Sequence, residues 1–292
     1  MTGAADAPLT WDVVGDVRRL FEFHFMVNAF RAGTVVAVAA ALIGWFMVLR
    51  RQSFAGHTLA VVAFPGAAGA TLIGIGSAWG FFGFCTAGAL VIASLPHRTG
   101  PGSSEESAGI GTLQAFALGC GYLFVTWYAG SLGSVNALLF GSFLGIADSQ
   151  VLTLVVVAAA ALAALAFIAR PLLFASVDAD VAAARGVPVR TLSVAFLLLL
   201  GLTVAAVSQV TGTLLVFALL VMPAATAQTL TARPVVSAVL AVAVALFVTW
   251  AGLACAYYSP YPIGFFVTTL AFAAYLGAHG AHALSARRRV TA

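Results

Sequence analysis

Arg50, Arg51 and His57 share one stretch, LRRQSFAGHTLAVVAFPGAAGA (49–70), at the join between two long apolar runs. His57 is the only histidine in the apolar body of the chain. Ionisable groups at membrane depth are costly, and by default they mark a transport path or a paired partner. Neutral imidazole is a ready ligand for zinc, and a free histidine titrates near neutrality. One imidazole holds a metal weakly, which is what a transit site needs: entry must be favourable and exit easy. The same residue also reads as a boundary histidine bonded to backbone, since only six positions separate it from Arg51. His24, His279 and His282 read as boundary residues.

Other chemistry is missing. The chain has no GxxxxGK[ST] loop, so any ATP would be bound by another subunit. Its nine acids all lie outside the expected spans, which argues against a proton-driven carrier with carboxylate relays at membrane depth. Cys85, Cys120 and Cys255 stand singly, with no CxxC spacing, and read as small buried residues. No catalytic constellation and no tightly bound cofactor are expected. The net charge of +4 comes from thirteen arginines and no lysine, and it is not a nucleic-acid signal.

The elements that position these residues follow from composition. At 62% hydrophobic and 8% charged residues, with a mean hydropathy of +1.08, the chain is not a soluble domain. A helix needs about 20 mostly apolar residues to cross the hydrocarbon. That test predicts an all-α polytopic membrane protein with about nine spans, within a range of eight to ten: 28–49, 57–76, 79–96, 109–129, 150–170, 191–209, 212–230, 234–256 and 262–282. The apolar piece 132–147 is short and suits a re-entrant or partial helix. Residues 1–27 mix acids, arginines and large apolar side chains, as an extracytoplasmic interfacial segment would. They lack the pattern of a cleaved signal peptide. A transmembrane domain over 28–284 and a basic tail, 285–292, complete the chain.

Arginine placement orients it. With the loop 171–190 inside, Arg50, Arg51, Arg98, Arg170, Arg185, Arg190, Arg233 and Arg287–Arg289 are cytoplasmic, and only Arg18, Arg19 and Arg31 lie outside. The N-terminus is then outside and the C-terminus in the cytoplasm of a multi-pass inner- or plasma-membrane protein. Residues 97–108, HRTGPGSSEESA, read as a solvated linker.

Residues 178–186 read as a short capped helix. Asp178 caps its start and Asp180 sits near the positive end of the dipole. Arg185 falls in the last turn, Gly186 suits a left-handed terminus, and Pro188 stops continuation. Such a helix is either an interfacial turn or a docking element for a cytoplasmic partner. Pro65 with Gly66, and Pro223 inside 212–234, are candidate helix bends along a pathway.

Five blocks in order carry a resemblance: VLRRQSFAGHTLAVVAFPGAAGA (48–70), LLFGSFLGI (138–146), VDADVAAARGVPV (177–189), GTLLVFALLVMPAATA (212–227) and YPIGF (261–265). Over about residues 28–282 the chain resembles the membrane-spanning permeases of metal-ion ABC importers, which serve zinc, manganese and iron. The FAGHTLA form resembles the zinc branch. The resemblance implies a type II-like ABC importer permease fold, a homodimer, two cytoplasmic ATPase subunits that use the ATP, and an extracytoplasmic metal-binding protein. It makes 178–186 the coupling helix, with Asp178, Asp180, Val181, Ala184, Arg185 and Gly186 at the ATPase contact.

Family members usually carry Asp and His four residues apart in the first block, on one helical face. His57 and Val61 occupy those positions here. The family's metal role therefore passes to His57 alone, as a transient ligand, and imidazole in place of carboxylate shifts preference from manganese toward zinc. The expected function is import of a divalent transition metal, zinc first. A manganese or iron(II) permease, or a secondary carrier with no ATPase, are the alternatives.

Overall fold

Long runs of Ala, Leu and Val have no water to satisfy their backbone in lipid, so they close their hydrogen bonds internally as helices. The computed structural model describes residues 20–95, 104–128, 141 and 146–290, and its elements are all helical. In chain order they are α1 (His24–Leu49), α2 (Ser53–Leu72), α3 (Ser77–Ser94), α4 (Ser104–Trp127), α5 (Asp148–Val177), α6 (Ala179–Ala184), α7 (Val189–Leu230), α8 (Pro234–Tyr257) and α9 (Ile263–Val290). Among the described residues, eight stretches are long and apolar enough to cross a membrane, the sixth being Val189–Thr213 of α7; Leu215–Leu230 is a shorter apolar helix.

The spans expected at 191–209 and 212–230 form one hydrogen-bonded run broken only at Gly212 (φ 74°, ψ 162°), a region that glycine alone enters readily. A straight helix of its 42 residues would extend about 63 Å. Yet both ends meet the same end of α1. Arg50 Nη2 donates to Ser193 Oγ at 2.7 Å, and Gln228 Nε2 donates to the Trp45 carbonyl at 2.8 Å. The chain therefore doubles back at Gly212, and α7 is a hairpin of two arms. Pro223 is buried in the second arm without taking the backbone out of helical geometry.

The same landmarks order the rest of the bundle. Arg50 and Ser176 meet at one end, where Trp45 Nε1 also donates to Ser237 Oγ near the start of α8. At the other end Asp148 meets Asn28, and the ring of Phe23 lies 6.3 Å from that of Tyr257. The start of α1 and the end of α9 thus fall at opposite ends. Arg50, Arg51, Arg185, Arg190 and Arg233 all cluster at one of them, here the arginine end.

α2 and α7 form the centre. α2 packs on α3, α4 and α7, while α7 touches α1, α3, α5, α8 and α9 as well. Several contacts are backbone on backbone. A Cβ on Gly66 or Gly80 would collide with the other's carbonyl, and one on Gly44 with the Leu220 carbonyl. Small residues let helices approach this closely in a membrane. Outside the centre, Phe116, Phe167 and Trp79 are exposed, as a lipid-facing surface requires.

Some expectations change. Ser104 opens α4, with Glu105 and Glu106 in the first turn. The linker is therefore shorter than 97–108, because acids near a helix start are favoured by its dipole. α9 continues to Val290, so most of the basic tail is helix. Residues 1–19 of the interfacial segment lie outside the described residues, as does nearly all of 132–147. Of the latter, Gly141 (φ 73°) has its backbone directly against Thr211 and Gly212 at the turn of the hairpin.

Candidate functional site

His57 is the fifth residue of α2, near its start at the arginine end. Its ring meets Phe217, on the second arm of α7, edge to face at a centroid distance of 4.7 Å. Its Nδ1 is buried without a hydrogen-bond partner. Beside it, Thr58 Oγ1 donates to Gln114 Oε1 at 3.0 Å and ties α2 to α4. Val61, one turn on, is half-buried and supplies no ligand atom. Among the described residues no group of three or more His, Cys, Asp or Glu is placed to hold a metal ion. The arrangement offers one imidazole in an aromatic setting.

Pro65 and Gly66 lie midway along α2, both buried. The Gly66 contact with Gly80 explains that glycine by packing. Pro223 is buried too, eleven positions past the turn at Gly212. The structure does not bring His57, Pro65 and Pro223 into one cluster of polar groups.

The short helix has the local form its residues dictate. Val181 N donates to Asp178 Oδ1 at 2.9 Å, so α6 is capped at its start. At its end Gly186 takes φ 82°, and Val187 N returns to the Ala182 carbonyl at 3.0 Å. Ala182 is its only buried residue; Asp180, Val181, Ala184, Arg185 and Gly186 face out. An exposed apolar side chain, Val181, flanked by exposed charges makes a surface suited to a partner.

Two groups escaped the sequence reading as structural devices. Arg50 is 6% exposed and spans three elements: Nε donates to Gln52 Oε1 (3.3 Å), Nη1 to Ser176 Oγ (3.2 Å) and Nη2 to Ser193 Oγ (2.7 Å). It joins the residues flanking α6 to the corner that leads into α2 and His57. At the far end, Asn28 Nδ2 donates to the Ile146 carbonyl (3.2 Å) and to Asp148 Oδ1 (2.9 Å), while His24 Nε2 lies 3.2 Å from Asp148 Oδ2. The only hints of this clamp in the sequence were single polar residues at the starts of two apolar runs, more than a hundred positions apart.

The clamp yields an ordered expectation. Asn28 is buried, so Asn28→Ala strands the Ile146 carbonyl and costs about 1–3 kcal/mol. The His24–Asp148 pair is mostly exposed and solvent-screened, so His24→Ala changes little. Thermal unfolding of the two purified variants checks the order; a larger loss for His24→Ala would contradict it.

The sequence profile of the ABC 3 transport family matches residues 22–281, almost the whole described bundle. The chain belongs to that family. Among curated ABC 3 relatives, the manganese transport system membrane protein MntC of Halalkalibacterium halodurans is 28% identical over 215 residues, covering 74% of this chain and 73% of that protein. The chelated iron transport system membrane protein YfeC of Yersinia pestis is 31% identical over 213 residues, covering 73% and 71%. A solved structure of PsaBC from Streptococcus pneumoniae in complex with Fab superposes with a TM-score of 0.80 at 26% identity, over 91% of this chain and 95% of that one. This member of the ABC 3 transport family is thus a multi-pass membrane protein with an ABC permease fold, a transport component.

Proposed function

We propose that this chain is the membrane subunit of an importer that moves a divalent transition metal into the cytoplasm between two copies of itself. Two ATPase subunits dock on α6 at the arginine end and hydrolyse the ATP. An extracytoplasmic binding protein delivers the ion at the opposite end. The single observation that carries this reading is α6. It is a helix too short to span, capped at both ends and held by one buried alanine, so that Asp180, Val181, Ala183 and Ala184 face away from the bundle.

Orientation follows from the arginines gathered beside α6, because cytoplasmic segments carry the excess of basic residues. That puts α6 where ATP is available, the N-terminus outside and the C-terminus inside. Arg50 supports a mechanical route. Movement of α6 reaches Ser176 and Ser193 on its flanks, then Arg50, then the start of α2 with His57 and, across from it, the second arm of α7.

Zinc is the cargo we favour, on donor chemistry: the ring faces no carboxylate, and imidazole suits zinc where oxygen ligands suit manganese. Manganese or iron is the second reading, favoured by the names of the curated relatives. Co-reconstitution of the chain with its ATPase in liposomes, with uptake of labelled zinc, manganese and iron(II) followed with and without ATP, tests both. Uptake against a gradient without the ATPase would instead assign a secondary carrier. His57→Ala is expected to lower zinc uptake by on the order of tenfold, the scale of one lost ligand contact, while ATPase association is retained. Unchanged uptake removes His57 from the pathway.

A further inference from the structure

At the arginine end a cavity of about 910 Å³ opens between the ends of α1 and α3, the base of α5, α6 and the start of α7. Arg50, Arg51 and Arg190 line it with the hydroxyl-bearing residues Ser94, Ser176 and Ser193, and no acid is among its lining residues. Leu49, Val194 and Leu197 supply an apolar wall.

Arg50 is the strongest feature of this cavity. The side chain is almost fully buried, and its three hydrogen-bond partners, Gln52, Ser176 and Ser193, are all neutral. The Phe196 ring, 5.6 Å from Cζ, adds a cation–π contact but no countercharge. A cation taken out of water without an anion is unfavourable, and burial accordingly pulls the Arg50 guanidinium below its ordinary value. Arg51 next to it sits in the left-handed region at φ 57°, strained for a side-chain-bearing residue. Arg51 and Arg190 are exposed, and their side chains have no hydrogen-bond or ion-pair partner among the described residues. Three guanidinium groups around one space, one of them buried, leave a positive charge that no described lining residue neutralises.

We propose that the cavity is a binding site for a phosphate-bearing anion, whose oxygens take the open donors of Arg50, Arg51 and Arg190 and the Ser193 hydroxyl, those of Ser94 and Ser176 already donating to the Val91 and Leu172 carbonyls. The planar guanidinium fork matches a phosphate group, and charge-assisted bonds of this kind are strong. The phosphate has two possible sources. One is an anionic phospholipid headgroup, its chains against the apolar wall, as basic pockets between membrane helices take up. The other is soluble phosphate. Ser176 and Ala179, on either side of the cap of α6, are part of the wall, so an occupant bears on how that helix is seated. The site does not depend on which metal crosses, or on whether one does.

The full chain is placed in nanodiscs of phosphatidylcholine alone, of phosphatidylcholine with phosphatidylglycerol, or of phosphatidylcholine with added inorganic phosphate. The thermal midpoint and, by native mass spectrometry, the retained lipid are then read. Wild type is expected to retain phosphatidylglycerol and to gain midpoint with it. The double variant Arg51→Gly, Arg190→Gln loses two charge-assisted contacts and binds on the order of tenfold or more weakly. Its midpoint in phosphatidylcholine stays at the wild-type value, because glycine accepts the φ of position 51. Arg233→Gln, at the same end but outside the cavity, leaves retention unchanged. A gain with inorganic phosphate alone assigns the same pocket to soluble phosphate. No response to either anion, an undiminished response in the double variant, or an equal loss in Arg233→Gln overturns the proposal.

Discussion

Val181→Asp is expected to leave the bundle folded and to reduce ATP-driven metal uptake to the level seen without the ATPase, a loss of at least about tenfold. Val181 is 45% exposed, and its contribution to the cap of α6 is its backbone N–H, which the substitution keeps. The change therefore acts on the outward face. It puts a charge where an apolar side chain would be buried against a partner, and a charge buried without its own partner costs several kcal/mol. Thermal unfolding of the purified chain should be unchanged while co-purification with the ATPase falls. Ala182→Asp tests the other face. Ala182 is fully buried beneath α6, so an acid there lifts the helix and lowers stability together with uptake. Were Val181→Asp to keep metal-stimulated ATP hydrolysis, α6 would not be the coupling element.

The second large effect is on assembly of the bundle, and two substitutions of opposite sign on one helix show it. Gly80→Ala places a methyl into the Gly66 carbonyl and against the Ala70 side chain. The obstructing carbonyl is backbone in a packed helix and cannot swing aside, so α2 and α3 must separate along their length. The loss is expected at about 3 kcal/mol or above, the upper end for overpacking. Gly83→Ala adds the same methyl one turn later on α3, where nothing lies within 4 Å. There the change removes only the helix-weakening freedom of glycine and stabilises by roughly 0.5–1 kcal/mol. Thermal unfolding in one detergent decides both, and equal responses would mean that the α2–α3 contact is not backbone on backbone. Since α2 carries His57, separation also displaces the candidate pathway.

How much of this was visible in the chain itself depends on the range of the interaction. α6 could be read to the residue, because a cap is a contract between neighbours: Asp178 reaches Val181, and Gly186 supplies the positive φ. Helix existence was equally legible, since a backbone in lipid has no other way to satisfy itself. The break in α7 was legible too: the spans read at 191–209 and 212–230 part where the chain turns, but no neighbour pattern told which residue makes the turn, and Gly212, read as the start of the second span, is the one whose lack of a Cβ allows it. Pro223, the other candidate bend, stays in helical geometry. Glycines were ambiguous for the same reason. Gly66 read as part of a pathway, and packing against Gly80 accounts for it; no local pattern tells a glycine that turns from one that touches.

The sequence alone determined that the chain lives in a membrane as a set of helices, which end gathers the arginines, and that a short capped helix interrupts the spans there. Composition and neighbour-to-neighbour hydrogen bonding suffice for each of those. Only the tertiary structure decided that Arg50 is a buried three-way link, that Asn28 clamps Asp148 across the far end, and that the imidazole of His57 meets Phe217 with one nitrogen unspent. Apart from the Arg50–Gln52 bond, the partners in these pairings are more than a hundred positions apart, and their meeting is set by how helices pack, which no local spacing encodes.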